Sequence, residues 1–144
     1  MLDLKKTTTQ QATMEAFFFA YQAFTAKADE MLARRGLSRM HQRILFFIGK
    51  YPGTNMKELL AYLGVSKQAL SVPLRQLLEM RLVESLTAAE DKRKRVLAFT
   101  AAGAKLELSL RREQVKLLQR AFDVAGSDAA SAWLEVNKAL GQGL

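Results

Sequence analysis

A mainly α fold carrying one small β-hairpin is predicted by three features of the 144-residue sequence. Apolar residues recur at helical spacing over most of the chain, and two short helical segments meet at Gly64. A single strand-like stretch then turns around a basic run, Lys92-Arg93-Lys94-Arg95. The length suits one domain, expected over 1–144, since domains most often span roughly 100–150 residues.

From Thr13 to Arg35, Phe17, Tyr21, Phe24, Ala28 and Leu32 fall near one helical face, with Lys27, Asp29 and Glu30 elsewhere. Phe18 and Phe19 widen that face beyond the need of one packing partner, so it fills either an ordinary core or a seam with a second chain. Gly36 ends the helix. Ser38 is the expected N-cap of a second helix, Met40 to Tyr51, which Pro52-Gly53 stops. Thr54 or Asn55 caps a short third helix bearing Met56, Leu59, Leu60 and Leu63. Gly64 supplies a tight turn, and Ser66 caps a fourth helix reaching about Met80. Two short helices joined this way are the mark of a helix-turn-helix.

After Leu82-Val83 a strand-like run reaches Leu86, Glu90 to Arg95 form a polar turn, and Val96 to Phe99 return. A basic-tipped hairpin at this spacing makes the motif a winged helix-turn-helix. Thr100 caps the next helix, Ala101 to about Ala125, whose Leu106, Leu110, Val115, Leu117, Leu118 and Phe122 are spread around the cylinder. Gly126-Ser127-Asp128 breaks it, and a last helix runs from Ala129 to Leu140 with Trp133, Leu134 and Val136. No repeat or low-complexity linker divides the chain, so one cooperative unit is expected.

The chain has 22 basic and 14 acidic residues, a net charge of +8 and a sequence pI near 10.0. That balance points to a polyanionic partner. Eight basic residues face four acidic ones from Met1 to Met56, eight face five from Lys57 to Arg95, and six face five from Val96 onward. The excess therefore sits in the first two thirds. No cysteine is present, which removes disulfides, thiolate metal sites and a cysteine nucleophile. The single histidine, His41, leaves no histidine pair for a metal and lies in no catalytic signature, so neither metal, cofactor nor enzymatic activity is expected. The start of the chain lacks the order of a secretory signal and no apolar run approaches ~18 residues; a cytoplasmic protein without membrane contact is expected.

A recognition helix places its N-terminal half in the major groove of double-stranded DNA, where polar side chains reach base edges. Ser66 opens such a helix, Lys67, Gln68, Ser71, Val72 and Arg75 fall on its exposed side, and Leu70, Leu74, Leu77 and Leu78 return to the core. Gln pairs bidentately with adenine and Arg with guanine, each worth ~1–3 kcal/mol of discrimination. Lys92, Arg93, Lys94 and Arg95 on the turn suit phosphates or the minor groove. The competing reading is a protein-binding winged-helix module whose basic wing is incidental.

Two stretches carry a family resemblance. Leu59-Leu60-Ala61-Tyr62-Leu63-Gly64-Val65-Ser66-Lys67-Gln68-Ala69-Leu70 and Leu77 to Val83 form the first. The second is the wing pattern of Asp91, Arg93, Leu97, Phe99, Thr100 and Gly103. Together they resemble the MarR-type regulators over nearly the whole chain. The resemblance implies a homodimer in which helices within 13–36 and 101–144 form a dimerisation layer and 38–100 the winged helix-turn-helix. It further implies palindromic operators, usually repressed, and in many members release by a small effector. Ser66, Lys67, Gln68, Ser71 and Arg75 map to the groove helix, Arg93 to the wing-tip arginine and Asp91 to the acid that orients it.

Two residues depart from the family pattern. Arg81 stands where a glycine is usual between helix and strand. Pro73 lies inside the recognition helix, where a missing N–H forfeits the bond to the Ala69 carbonyl; it is expected to bend or locally open the helix and alter how Arg75 meets DNA. Phe17, Tyr21, His41 and Phe47 are candidates for a ligand cleft, although the aromatic residues equally suit core and seam filling.

Overall fold

A computed structural model describes residues 2–142. The elements follow in the order α1 (Thr7–Ala33), α2 (Arg39–Lys50), α3 (Met56–Leu63), α4 (Lys67–Glu79), β1 (Val83–Thr87), β2 (Arg95–Phe99), α5 (Ala101–Ala125) and α6 (Ala129–Gln142). The chain divides into two compact units, with boundaries after Thr25 inside α1 and after Arg111 inside α5. None of the described helices is long and apolar enough to cross a membrane.

The unit from Ala26 to Arg111 holds the buried core. Ala28 and Leu32 of α1 join Ile44, Leu45 and Ile48 of α2, Leu59 of α3, Leu70, Leu74 and Leu77 of α4, and Leu106 and Leu110 of α5. Full burial of such a side chain contributes roughly 1.5–3 kcal/mol before chain entropy is set against it. Val83 and Leu97 add the inner face of the hairpin. The two strands pair antiparallel from Val83↔Phe99 to Thr87↔Arg95.

Local signals fix most element boundaries. Ser38 has the extended backbone of an N-cap, and its N–H donates to His41 Nδ1 at 2.9 Å. At α3 the cap is Asn55. Its Oδ1 accepts from the Glu58 N–H at 2.8 Å, and Glu58 Oε1 accepts from the Asn55 N–H at 3.2 Å. Thr54 is buried instead, and its carbonyl accepts a 2.8 Å bond from the Leu97 N–H, tying the α2–α3 loop to β2. Gly64, at φ 63°, closes α3 in the left-handed region, where a side chain would be strained.

Helix α1 begins at Thr7, six residues before the expected Thr13. The added segment is polar and has no apolar period, so periodicity cannot reveal it. It extends an existing helix, which needs no new nucleus. Helix α4 runs unbroken through Pro73, so the expected local opening is absent. The Ala69 carbonyl loses its intrahelical N–H partner, and Ala69 is an exposed residue, so the lost bond is not a buried one.

The end of α4 accounts for Arg81. Its N–H bonds the Leu78 carbonyl at 3.1 Å and the Leu82 N–H bonds the Leu77 carbonyl at 3.0 Å, a Schellman motif with Arg81 at its left-handed position, φ 57°. Thr100 joins that turn to α5: its hydroxyl donates to the Arg81 carbonyl at 2.6 Å and accepts from the Gly103 N–H at 3.1 Å. A Cβ on Gly103 would stand 1.8 Å from the Leu82 carbonyl oxygen, so only glycine fits there.

The second unit comprises α1 up to Thr25, α5 from Arg112, and α6. Within it Gln114 Nε2 donates to the Phe24 carbonyl at 3.4 Å, and Trp133 meets Phe122 edge to face at 5.7 Å. Apolar side chains here stay uncovered. No residue of α6 is buried, and Phe17, Phe18 and Phe19 are more than half exposed.

Candidate nucleic-acid interface

Ser66, with extended backbone, accepts a 3.1 Å bond from the Ala69 N–H through its Oγ and so starts α4. By helix geometry the Lys67 and Gln68 amides have no intrahelical acceptor, and they add partial positive charge to this end. Such a terminus suits phosphate. Lys67, Gln68, Ser71 and Arg75 are all exposed, while Leu70, Leu74 and Leu77 on the opposite face are buried. Arg75 Nε lies 3.7 Å from Glu79, one turn on, in a solvent-exposed pair.

Gln76 is an exposed residue of the same helix whose carboxamide reaches back to α2. Its Oε1 lies 2.7 Å from His41 Nε2. Because the Ser38 N–H donates to Nδ1, the neutral ring carries its proton on Nε2 and donates it to Gln76. His41 thereby fixes α4 against α2. Sequence spacing gave no sign of this pair, whose members lie 35 residues apart.

The hairpin tip spans the residues between Thr87 and Arg95. It is closed by the Ala88 N–H donating to the Lys94 carbonyl at 2.9 Å and the Lys94 N–H to the Asp91 carbonyl at 3.1 Å. Asp91 Oδ1 accepts from the Arg93 backbone N–H at 3.0 Å and from Arg93 Nε at 3.3 Å, leaving a side chain that is 91% exposed. Lys92 and Lys94 flank it, both exposed. Arg95 differs from the tip position expected for it: it is the first residue of β2 and pairs with Thr87. Its guanidinium donates to Ser85 Oγ, Thr87 Oγ1 and the Ser85 carbonyl at 3.2, 3.0 and 2.7 Å. It braces the hairpin, with three N–H groups committed.

The four candidate cleft residues are not brought together within either unit. Phe17 and Tyr21 are exposed residues of the α1 segment before Thr25. In the other unit His41 is buried with both ring nitrogens engaged, and Phe47 stacks on Tyr62 at 5.5 Å. A cavity of about 660 Å³ in that unit is lined instead by Phe46, Gly49, Lys50, Phe99, Glu107 and Arg111, among others. Three separate elements build it, which no single motif reveals. A 2.8 Å hydrogen bond to Glu107, and that residue's charge, raise the pKa of Arg111 above its ordinary value.

Among known proteins, a family model described as MarR family matches residues 35–94. The HTH-type transcriptional regulator PetP of Rhodobacter capsulatus is 39% identical over 127 residues, covering 88% of this chain and 76% of that protein. This chain belongs to the MarR family. Its members are transcription regulators and not enzymes. Solved structures share the fold at lower identity. A MarR family regulator from Streptomyces coelicolor, solved in complex with DNA, gives a TM-score of 0.72 at 19% identity, covering 96% of this chain and 89% of its own. Staphylococcus aureus MarR in complex with salicylate and kanamycin gives 0.68 at 21%, covering 99% and 94%. The winged helix-turn-helix of this family member, α2 to β2, is thus a fold held in common.

Proposed function

We propose that this MarR-family regulator is a repressor that binds palindromic operators as a homodimer in the cytoplasm and releases them when a small ligand binds. The joint presentation of Lys67, Gln68, Ser71 and Arg75 on the outer face of α4, beside a hairpin tip exposing Arg93, carries the reading. Lysine and arginine contacts to phosphate position the protein, while Gln68 and Arg75 read base edges. Lys92 and Lys94 add to the phosphate contacts of Arg93.

The uncovered apolar side chains of α1 and α6 support a second copy of the chain, since such surface is ordinarily buried against a partner. Two copies place two recognition helices on half-sites centred roughly one helical turn, about 10 base pairs, apart. The DNA complex of the S. coelicolor relative supports the DNA part of the reading. The salicylate-bound S. aureus relative supports the ligand part, and the cavity beside Lys50 offers a seat of suitable volume in this chain.

Fluorescence anisotropy with duplex from the chain's own upstream DNA tests the reading. The expected result is nanomolar binding that weakens steeply with salt and is abolished in the Arg75→Ala, Arg93→Ala double variant. Salt-independent affinity, or equal affinity for unrelated DNA, overturns it.

A further inference from the structure

We propose that Val72 is a specificity-determining residue of the recognition helix, reading the 5-methyl group of a thymine. The inference rests on the DNA-binding reading above and deepens it. On α4 the exposed positions are polar or small except one: Val72 is 45% exposed, the single large hydrophobe within the helix to stand in solvent. At about 100° per residue it lies roughly 40° around the helix from Gln68 and 60° from Arg75, nearly opposite Leu70 and Leu77. It is also the sixth residue of a helix that starts at Lys67, within the half that reaches base edges.

An isolated exposed valine has no meaning by itself. Its meaning here comes from what surrounds it and what the groove offers. Among the groups the major groove displays, the thymine methyl alone is apolar; guanine O6 and N7, adenine N6 and N7, cytosine N4 and thymine O4 all require hydrogen-bond partners. An isopropyl group set against those polar atoms excludes water and returns no hydrogen bond, which is unfavourable. Set against a methyl, it buries apolar surface on both sides. Val72 thus favours thymine by contact and opposes guanine, adenine and cytosine by desolvation.

Stiffness sharpens the effect. A β-branched side chain in a helix holds one χ1 rotamer, and Pro73, next in the chain, fixes its own φ. The valine therefore cannot swing aside to admit a different base. With Gln68 suited to adenine one turn before it, the pair describes a half-site element in which an adenine and a thymine methyl lie side by side.

The test uses a duplex selected from a random pool by the wild-type full-length protein. Each thymine of its half-sites is replaced in turn by deoxyuridine, which lacks only the methyl. At one thymine per half-site the wild type is expected to lose affinity roughly fourfold, and roughly fifteenfold when both half-sites are altered. Val72→Ala, at an exposed helical position, should fold as the wild type does and bind thymine and uracil duplexes equally. A wild type that binds the selected duplex specifically yet tolerates uracil at every position overturns this inference alone. Retained discrimination in Val72→Ala overturns it too. Failure to select any duplex overturns the DNA-binding reading and this inference with it.

Discussion

His41 Nε2 donates a 2.7 Å hydrogen bond to Oε1 of Gln76, joining the first turn of α2 to the last turn of the recognition helix. The same ring accepts the Ser38 N–H through Nδ1, so one buried side chain caps one helix and anchors another. His41→Ala strips a partner from the Ser38 amide and from the Gln76 carboxamide. A loss of about 1–3 kcal/mol in urea unfolding is expected, against almost none for an exposed control such as Lys57→Ala. Equal midpoints for the two variants would show that water replaces the ring without cost.

Arg81 occupies the left-handed position of a Schellman motif that glycine fills most easily. Arg81→Gly relieves the Cβ clash and gives back part of the gain in unfolded-chain entropy. The expected result is a net stabilisation of about 0.5–1 kcal/mol at an unchanged m-value. A lower midpoint in the glycine variant contradicts this account of the turn.

Gly103 tolerates no such freedom. With the Leu82 carbonyl 1.8 Å from any added Cβ, Gly103→Ala must part α5 from the root of the wing. More than about 3 kcal/mol should be lost, read as a steep fall in Tm or in yield of folded protein. A variant melting within about 2 °C of the wild type would mean the close approach is not maintained in solution.

Asp91 tests whether the wing arginine needs its carboxylate. Asp91→Ala frees Arg93 Nε and the Arg93 amide, lets the side chain wander, and should weaken operator binding roughly fivefold while leaving the melting temperature alone. Tighter binding would show that Asp91 restrains Arg93 more than it directs it.

The exposed apolar residues of α1 and α6 lead to a prediction about assembly and cooperativity. Sedimentation should find a dimer, and Leu134→Glu combined with Phe18→Glu should shift it to monomer. Thermal unfolding of the wild type should be a single transition whose midpoint rises with protein concentration. Two independent transitions, insensitive to concentration, are inconsistent with one cooperative dimer.

What sequence could reveal divides along the distance over which each feature is encoded. Ser66, Gly64 and Asn55 act on amides or dihedrals within a few residues, so the boundaries of α3 and α4 were legible to within a residue. The polar start of α1 at Thr7 carried no periodic signal. Arg95 sits in an unbroken basic run, and only its register opposite Thr87 separates it from the tip. The His41–Gln76 bond and the cavity beside Lys50 depend on elements far apart in the chain, and neither composition nor spacing encodes such meetings. Pro73 was legible as a lost hydrogen bond, but its consequence depended on the exposure of Ala69.

The arginines of the proposed DNA face do not stand alone: Arg75 keeps company with Glu79 and Arg93 with Asp91. Each therefore brings its own counterion, held on the same chain. When phosphate arrives, part of what it displaces is a tethered carboxylate and not a sodium or chloride ion from solution. A tethered anion cannot be diluted away, although salt screens exposed pairs such as these. Stray phosphates at the wrong angle lose that contest, and a duplex in register wins it. On the proposed DNA-binding reading, such self-competition is expected to lower the affinity for DNA at large while sparing the one geometry the helix and wing share.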